Sequence, residues 1–339
     1  MAVPADSPAS SRSTPPGAPL PTGAAPDAPR SGALRGGSAS DADVPSAPPP
    51  PLRRPTPPIP FTKVQGLGND YLYLDGVAAP LPGNLPELAK AMSDRHFGPG
   101  ADGIITLERA DSGRLRMRMW NADGSEGQMC GNGIRGFAKL CYERGYTPPG
   151  ESTFPVETGA GIITPTVFPE DGAVHRVRVD MGEPRLRRVQ IPMEGPADTE
   201  CLDQVMEFGA ERLRLTAVSM GNPHAVAFVE DTERAPVRTL GPRIERDPCF
   251  PERVNVEFIQ VVDESTLRMR VWERGSGETL ACGTGACAAL VAAVRTGRAR
   301  RRAVVQLLGG DLQIEWAADN HVFMTGPTVE VYRGEYQPK

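Results

Sequence analysis

The hexapeptide Leu115-Arg-Met-Arg-Met-Trp120 returns as Leu267-Arg-Met-Arg-Val-Trp272, 152 positions further along the chain. The register then persists: Glu126 meets Glu278, Cys130-Gly131 meets Cys282-Gly283, Gly133 meets Gly285, and Gly145 meets Gly297. An earlier pair, Gly68-Asn69 and Gly221-Asn222, matches one residue out of step. Matches on both sides of a glycine-cysteine motif at one offset predict two copies of a single folding unit. This constrains the chain more than its composition does.

Within each copy, period-two alternation of apolar and polar residues predicts half-buried strands, as in Leu115 to Met119, Val174 to Val179 and His224 to Val229. Helical patterns cover Leu85 to Met92, Gly133 to Glu143 and Gly285 to Val294. The last is apolar nearly all round, which predicts a helix enclosed by sheet. The expected class is α+β: two pseudo-symmetric α/β domains, each a curved mixed sheet around a buried helix, with the active site in the cleft between them. The expected boundaries are 61 to 179 and 180 to 326.

Before Phe61 the chain has no Phe, Tyr or Trp, and prolines are packed in with Ala, Ser and Gly. Such a segment buries too little apolar surface to offset the ordering of its backbone, so residues 1 to 60 are expected to be a disordered tail. A transit peptide is the competing reading, against which stand Asp6, Asp27, Asp41 and Asp43. No run approaches the ~20 apolar residues that span a bilayer. A net charge of −5, with both signs interleaved, offers no stripe of basic residues for nucleic acid. The expectation is a cytoplasmic protein with a small-molecule partner. The six cysteines form neither a CxxC pair nor a Cys/His cluster, so reduced thiols are expected rather than a disulfide framework or a zinc site.

Each copy carries a polar loop, then Cys-Gly-x-Gly, then a helix: Met129 to Ile134 in the first and Ala281 to Ala286 in the second. Glycines at a helix start let backbone amides approach an anion closely, and the same field favours a thiolate. A cysteine so placed is expected to fall from ~8.5 towards ~3.5 to 7.5. Two such thiols facing each other across a cleft suit the inversion of a stereocentre beside a carboxylate. One removes the α-proton, the other returns a proton on the opposite face, and the aligned amides stabilise the charge that develops.

In order along the chain, GLGNDY at 66, RHFGPGADG at 95, WNADGSEGQMCGNG at 120, SMGNPH at 219, ERVNVEF at 252 and WERGSGETLACGTGAC at 272 resemble the diaminopimelate epimerase family. The wider superfamily, which includes proline racemase, shares the cysteine pair. The resemblance implies a cofactor-independent epimerase that interconverts LL- and meso-diaminopimelate in lysine and peptidoglycan precursor biosynthesis. It leaves room for a homodimer, and it implies that the last strand, within 327 to 339, returns to the first domain.

Carried over by position, the catalytic cysteines are Cys130, written as proton donor, and Cys282, written as acceptor, with the roles reversing by direction. The implied substrate contacts are Asn69, Asn121, Gly131, Asn132, Asn222, Asn255, Glu273, Arg274, Gly283 and Thr284. His224 and Glu273 match positions that adjust the thiol acidities. A glutamine found in some members is Gly103 here.

The residue chemistry agrees with this map. A second amino acid group on the substrate needs a carboxylate partner and an ammonium partner, which Arg274 and Glu273 supply. Taken singly, the asparagines read as turn residues and His224 as a structural histidine. Two other functions remain open on the residues alone. One is a racemase of proline or hydroxyproline, and the other is a thiol redox protein using Cys130 and Cys282 as a reversible disulfide.

Removing residues 1 to 58 is expected to leave folding and turnover essentially unchanged, because the segment lacks aromatic anchors. Thermal melting and activity of the truncated protein check this; a large loss in either would show that the segment packs or assembles.

Overall fold

The structure is a computed structural model, and it describes residues 57 to 338. The expectation for the Pro/Ala/Ser-rich segment therefore lies outside the described residues up to position 56. Chain order begins with β1 (Ile59–Gly66), β2 (Asn69–Asp75), α1 (Leu85–Ser93), β3 (Gly103–Arg109), β4 (Leu115–Asn121), β5 (Glu126–Gly127), α2 (Gly131–Glu143), β6 (Val156–Thr158) and β7 (Gly161–Ile163). Two strands follow, β8 (Thr166–Glu170) and β9 (Ala173–Asp180). The second half holds β10 (Gln204–Phe208), β11 (Glu211–Ser219), β12 (Pro223–Phe228), α3 (Val237–Glu245), β13 (Asn255–Asp263), β14 (Thr266–Glu273), β15 (Gly277–Thr279) and α4 (Gly283–Arg295). It closes with β16 (Arg302–Leu307), β17 (Gly310–Trp316), β18 (Val322–Pro327) and β19 (Val329–Tyr336).

The two sheets have one plan. The first runs β19-β1-β2-β3-β4-β6-β7, and the second begins β10-β11-β12-β13-β14-β16-β17 before continuing to β18-β9-β8. Parallel pairs fall at the same places, β2 with β3 and β4 with β6 in one, β12 with β13 and β14 with β16 in the other. The offset of 152 read from the sequence holds for α1 and α3, β3 and β13, and α2 and α4, judged by their first residues. The fold is α+β, two copies of one unit.

The connections between the copies decide where they meet. β9 hydrogen-bonds to β18 and so belongs to the second sheet, yet Val167, Val174, Val177 and Val179 pack in the core around α2. A boundary at Val179 thus follows side-chain packing rather than hydrogen bonding. β19 leaves β18 after Pro327 and pairs antiparallel with β1 in the first sheet. Two chain crossings therefore tie the halves together.

α4 lies inside its sheet, and every residue from Ala286 to Ala293 is fully buried. The helix has no polar face because it has no solvent side. α1 starts where Asn84 accepts the Glu87 amide proton. α3 is absent from the sequence-based expectation, since Pro236 at its cap and Pro242 within it interrupt the helical pattern. Among the described residues no helix is long and apolar enough to cross a membrane.

Phe137 on α2 is fully buried in the first core. Phe137→Ala is expected to cost about 3 to 5 kcal/mol, as large-to-small changes in a core do. Chemical denaturation measures it, and a loss below about 1 kcal/mol would mean that α2 does not organise this half.

Candidate active site

Cys130 and Cys282 are the N-cap residues of α2 and α4, with nearly the same backbone, φ −132° and ψ 121° in one, φ −132° and ψ 110° in the other. Cys130 Sγ accepts the Gly133 amide proton at 3.4 Å. The two helix starts meet at one side chain, the buried Met324 of β18. A Cβ placed on Gly131 would lie 3.1 Å from the Met324 methyl, and one on Gly283 would lie 2.9 Å from its sulfur. Glycine at both positions is what lets the helices approach the same thioether.

Around this junction lies a cavity of about 1470 Å³ lined by both halves. It includes ten of the expected site residues: Asn69, Asn121, Cys130, Gly131, Asn132, Asn222, Glu273, Cys282, Gly283 and Thr284. Free amides at two helix starts give it a positive floor, suited to a carboxylate. Asn132 Oδ1 is buried there with no donor among the described residues, which leaves an acceptor for an ammonium group.

Three expected residues stand elsewhere. Asn255 is buried and acts as a brace: its Nδ2 donates to the Pro223 carbonyl, and its Oδ1 accepts the Arg274 amide proton. Arg274 is exposed, and its Nη1 donates to the Glu252 carbonyl at 2.9 Å. It lies outside the lining, although Glu273 and Ser276 on either side belong to it. His224 is fully buried behind the wall, its Nδ1 2.6 Å from Glu257 Oε1 and its Nε2 3.0 Å from Asn222 Oδ1. Its ring thereby links Glu257 to Asn222, which lines the cavity. Gly103 also lies outside the lining; a Cβ there would sit 2.1 Å from the Trp120 carbonyl oxygen, so this backbone has no room for a glutamine.

Each thiol is held through its neighbours. On the first side, Arg95 bridges Asp70 and Asp102, and Asp102 Oδ2 accepts from Asn69 Nδ2 at 2.7 Å. This leaves Asn69 Oδ1 facing the Cys130 thiol at 3.6 Å. On the second, Asn222 Nδ2 donates to Thr284 Oγ1, whose own hydroxyl proton is then free to point at Cys282 Sγ, 3.5 Å away.

The helix-terminus argument alone fails for Cys282. Burial, and then the Glu273 and Glu257 carboxylates, push its thiol well above the ordinary cysteine range, against the smaller pull of Thr284 and the Gly285 amide. Desolvation of a thiolate enclosed in apolar surroundings outweighs the half-charge of one helix start. Burial likewise raises Glu273. The Thr279 hydroxyl donates to its Oε1. The sequence reading also missed Tyr71, which lines the cavity beside Cys130, and the buried Glu257 and Arg135.

A family model described as diaminopimelate epimerase matches residues 61–187 and 216–331. The chain belongs to the diaminopimelate epimerase family. It is 56% identical over 277 residues to the diaminopimelate epimerase of Moorella thermoacetica, covering 81% of this chain and 98% of the relative. With the enzyme of that name from Geobacillus kaustophilus it shares 50% over 279 residues, 81% of this chain and 96% of the relative. Among solved structures, a phenazine biosynthesis protein of the PhzF family from Bacillus anthracis superposes with TM-score 0.60 at 15% identity, covering 83% of this chain and 99% of that one. A hydroxyproline epimerase from Agrobacterium vitis gives 0.57 at 16%, over 84% and 92%. These distant likenesses establish the two-unit fold, and family membership makes the chain an isomerase.

Proposed function

We propose that this chain interconverts LL-2,6-diaminopimelate and its meso form by two-thiol proton exchange, as a step towards lysine and peptidoglycan precursors. The observation that carries the reading is the meeting of two cysteine-capped helix starts at Met324, beside a cavity lined by both halves. The reacting carboxylate lies on the amides of Gly131, Asn132, Gly283 and Thr284. The thiolate of one cysteine takes the α-proton, and the electron pair left on carbon is delocalised into the carboxylate, where those amides stabilise it. The thiol of the other cysteine then delivers its proton to the opposite face. Charge and proton count are conserved, and the two sulfurs have exchanged states.

Asn69, Asn121, Asn132 and Asn222 offer both donors and acceptors to the zwitterionic ends of the substrate. Arg274 has no carboxylate partner among the described residues and stands at the cavity rim. By rotating away from the Glu252 carbonyl it supplies a fork for the distal carboxylate. The soluble, charged substrate fits a cytoplasmic setting.

Purified protein incubated with LL-diaminopimelate in deuterated water, under reductant, is expected to yield meso product labelled at the α-carbon. Cys130→Ala and Cys282→Ala are each expected to abolish this, since one thiol cannot serve both faces. Substantial turnover with either cysteine absent would sink the two-base assignment.

Arg274→Lys keeps the charge and loses the fork. A marked fall in kcat/KM is expected, read from steady-state kinetics. Kinetics near those of the unaltered enzyme would place the distal carboxylate elsewhere and revive a single-ended substrate such as proline.

A further inference from the structure

The two halves repeat the backbone around each thiol but not the charges. Stepping by 152 pairs Ile105 with Glu257, Asn121 with Glu273, and Arg135 with Cys287. Each difference makes the surroundings of Cys130 more positive, or those of Cys282 more negative. The geometry is matched point for point. A Cβ on Gly133 would lie 2.6 Å from the Ile105 Cδ1 methyl and 3.8 Å from Cys130 Sγ. At the equivalent Gly285 the same point lies 2.8 Å from Glu257 Oε1 and 3.2 Å from Cys282 Sγ. A methyl group underlies one thiol and a carboxylate the other.

Arg135, in the second turn of α2, is fully buried and pairs with no carboxylate among the described residues. Its Nε donates to the Pro327 carbonyl at 3.1 Å and its Nη1 to the Gly131 carbonyl at 3.2 Å, while Nη2 has no partner. A guanidinium stripped of water and of counter-ion is costly. Burial lowers it to about 10, with Cys130 and Tyr73 acting in the opposite sense, so it remains a cation at neutral pH.

Two neutral dipoles act the other way, Asn69 Oδ1 facing Cys130 and the Thr284 hydroxyl facing Cys282, but the charged groups around the thiols do not cancel the difference. Tyr71 and Tyr73, beside Cys130, are neutral phenols, because burial, followed by the Cys130 charge, raises both well above the usual tyrosine range. Behind Asn69, Asp70 and Asp102 are matched by Lys63 and Arg95. Beside Cys282 lie the hydrogen-bonded His224 and Glu257 and, with them, the Glu273 carboxylate. Within the hydrogen-bonded pair, the Glu257 oxygen beneath Cys282 is Oε1, which bonds His224 Nδ1, while Oε2 is buried with no donor among the described residues.

We propose that Arg135 and Glu257 are positioning residues that make the thiol pair unequal, holding the thiolate at Cys130 and the shared proton on Cys282 in the free enzyme. The free enzyme is thereby poised for the direction in which Cys130 takes the α-proton. The proposal builds on the two-thiol reading above, but its test needs no substrate, so either can fail while the other stands.

The test is alkylation of the full chain with iodoacetamide across a pH series, with each cysteine's extent read by peptide mass mapping. Normalising each profile to its own plateau removes the difference in access. Cys130 is expected to titrate at least about one pH unit below Cys282, a tenfold difference in thiolate at intermediate pH. Glu257→Gln is expected to lower the Cys282 midpoint and leave that of Cys130 in place. Arg135→Gln is expected to raise the Cys130 midpoint, and Arg135→Lys, which keeps the charge, to restore it. Coincident or reversed midpoints in the unaltered protein would overturn the proposal, and that comparison requires no variant to fold. Variants that move both thiols together would overturn it as well, since loosened packing and not a local charge would then be responsible.

Discussion

Two helix starts, each with unpaired amides and about half a positive charge, are held against one another across a single thioether. Left alone, such ends repel and expose donors that need partners. The rest of the structure supplies what keeps them there. β18 carries Met324 into the junction, and the chain then crosses at Pro327 to become β19 of the opposite sheet. Arg135 fastens α2 to that crossing through the Pro327 carbonyl. Amides of both helix starts at one junction make an arrangement suited to an anion that accepts from both sets.

Much of this is legible in the sequence because duplication is a long-range signal. The 152-residue offset fixes which elements correspond, and the Cys-Gly-x-Gly repeats mark where helices begin. What escapes is whatever depends on burial. Glu257 follows an apolar residue on a strand, so alternation reads it as facing solvent, yet β13 is covered on both faces from Asn255 to Ile259. Arg135 reads as the polar side of an amphipathic helix, although α2 has sheet around it. The acidity of Cys282 follows the same lesson: helix position is written in sequence, and desolvation is not. Asn255 and Arg274 show that a motif can give a residue's neighbourhood without giving the direction of its side chain.

The buried charges also bear on stability. An unpaired guanidinium and a carboxylate with one bare oxygen oppose folding by amounts that apolar replacements such as Ile105 and Cys287, their counterparts in the other half, avoid. The second half's helix, enclosed from Ala286 to Ala293, shows what the same backbone does when packed for stability alone. At Glu257 the charge stands beside a thiol, where a local field changes chemistry.

A perfectly symmetric pair of thiols would be a poor match for this reaction. Equal sulfurs in equal fields leave the proton on either with equal weight, and half of the free enzyme would then be in the wrong state for a given isomer. Burial of Cys282 adds to this, since its thiolate must be formed against desolvation. On the proposal above, a buried cation on the helix that Cys130 caps and a carboxylate beneath Cys282 decide where the proton rests before substrate arrives. The helix dipoles, being duplicated, cannot make that choice. In a fold made by repetition, direction has to come from the residues that differ, and the charged ones argued above are Arg135, Glu257 and Glu273.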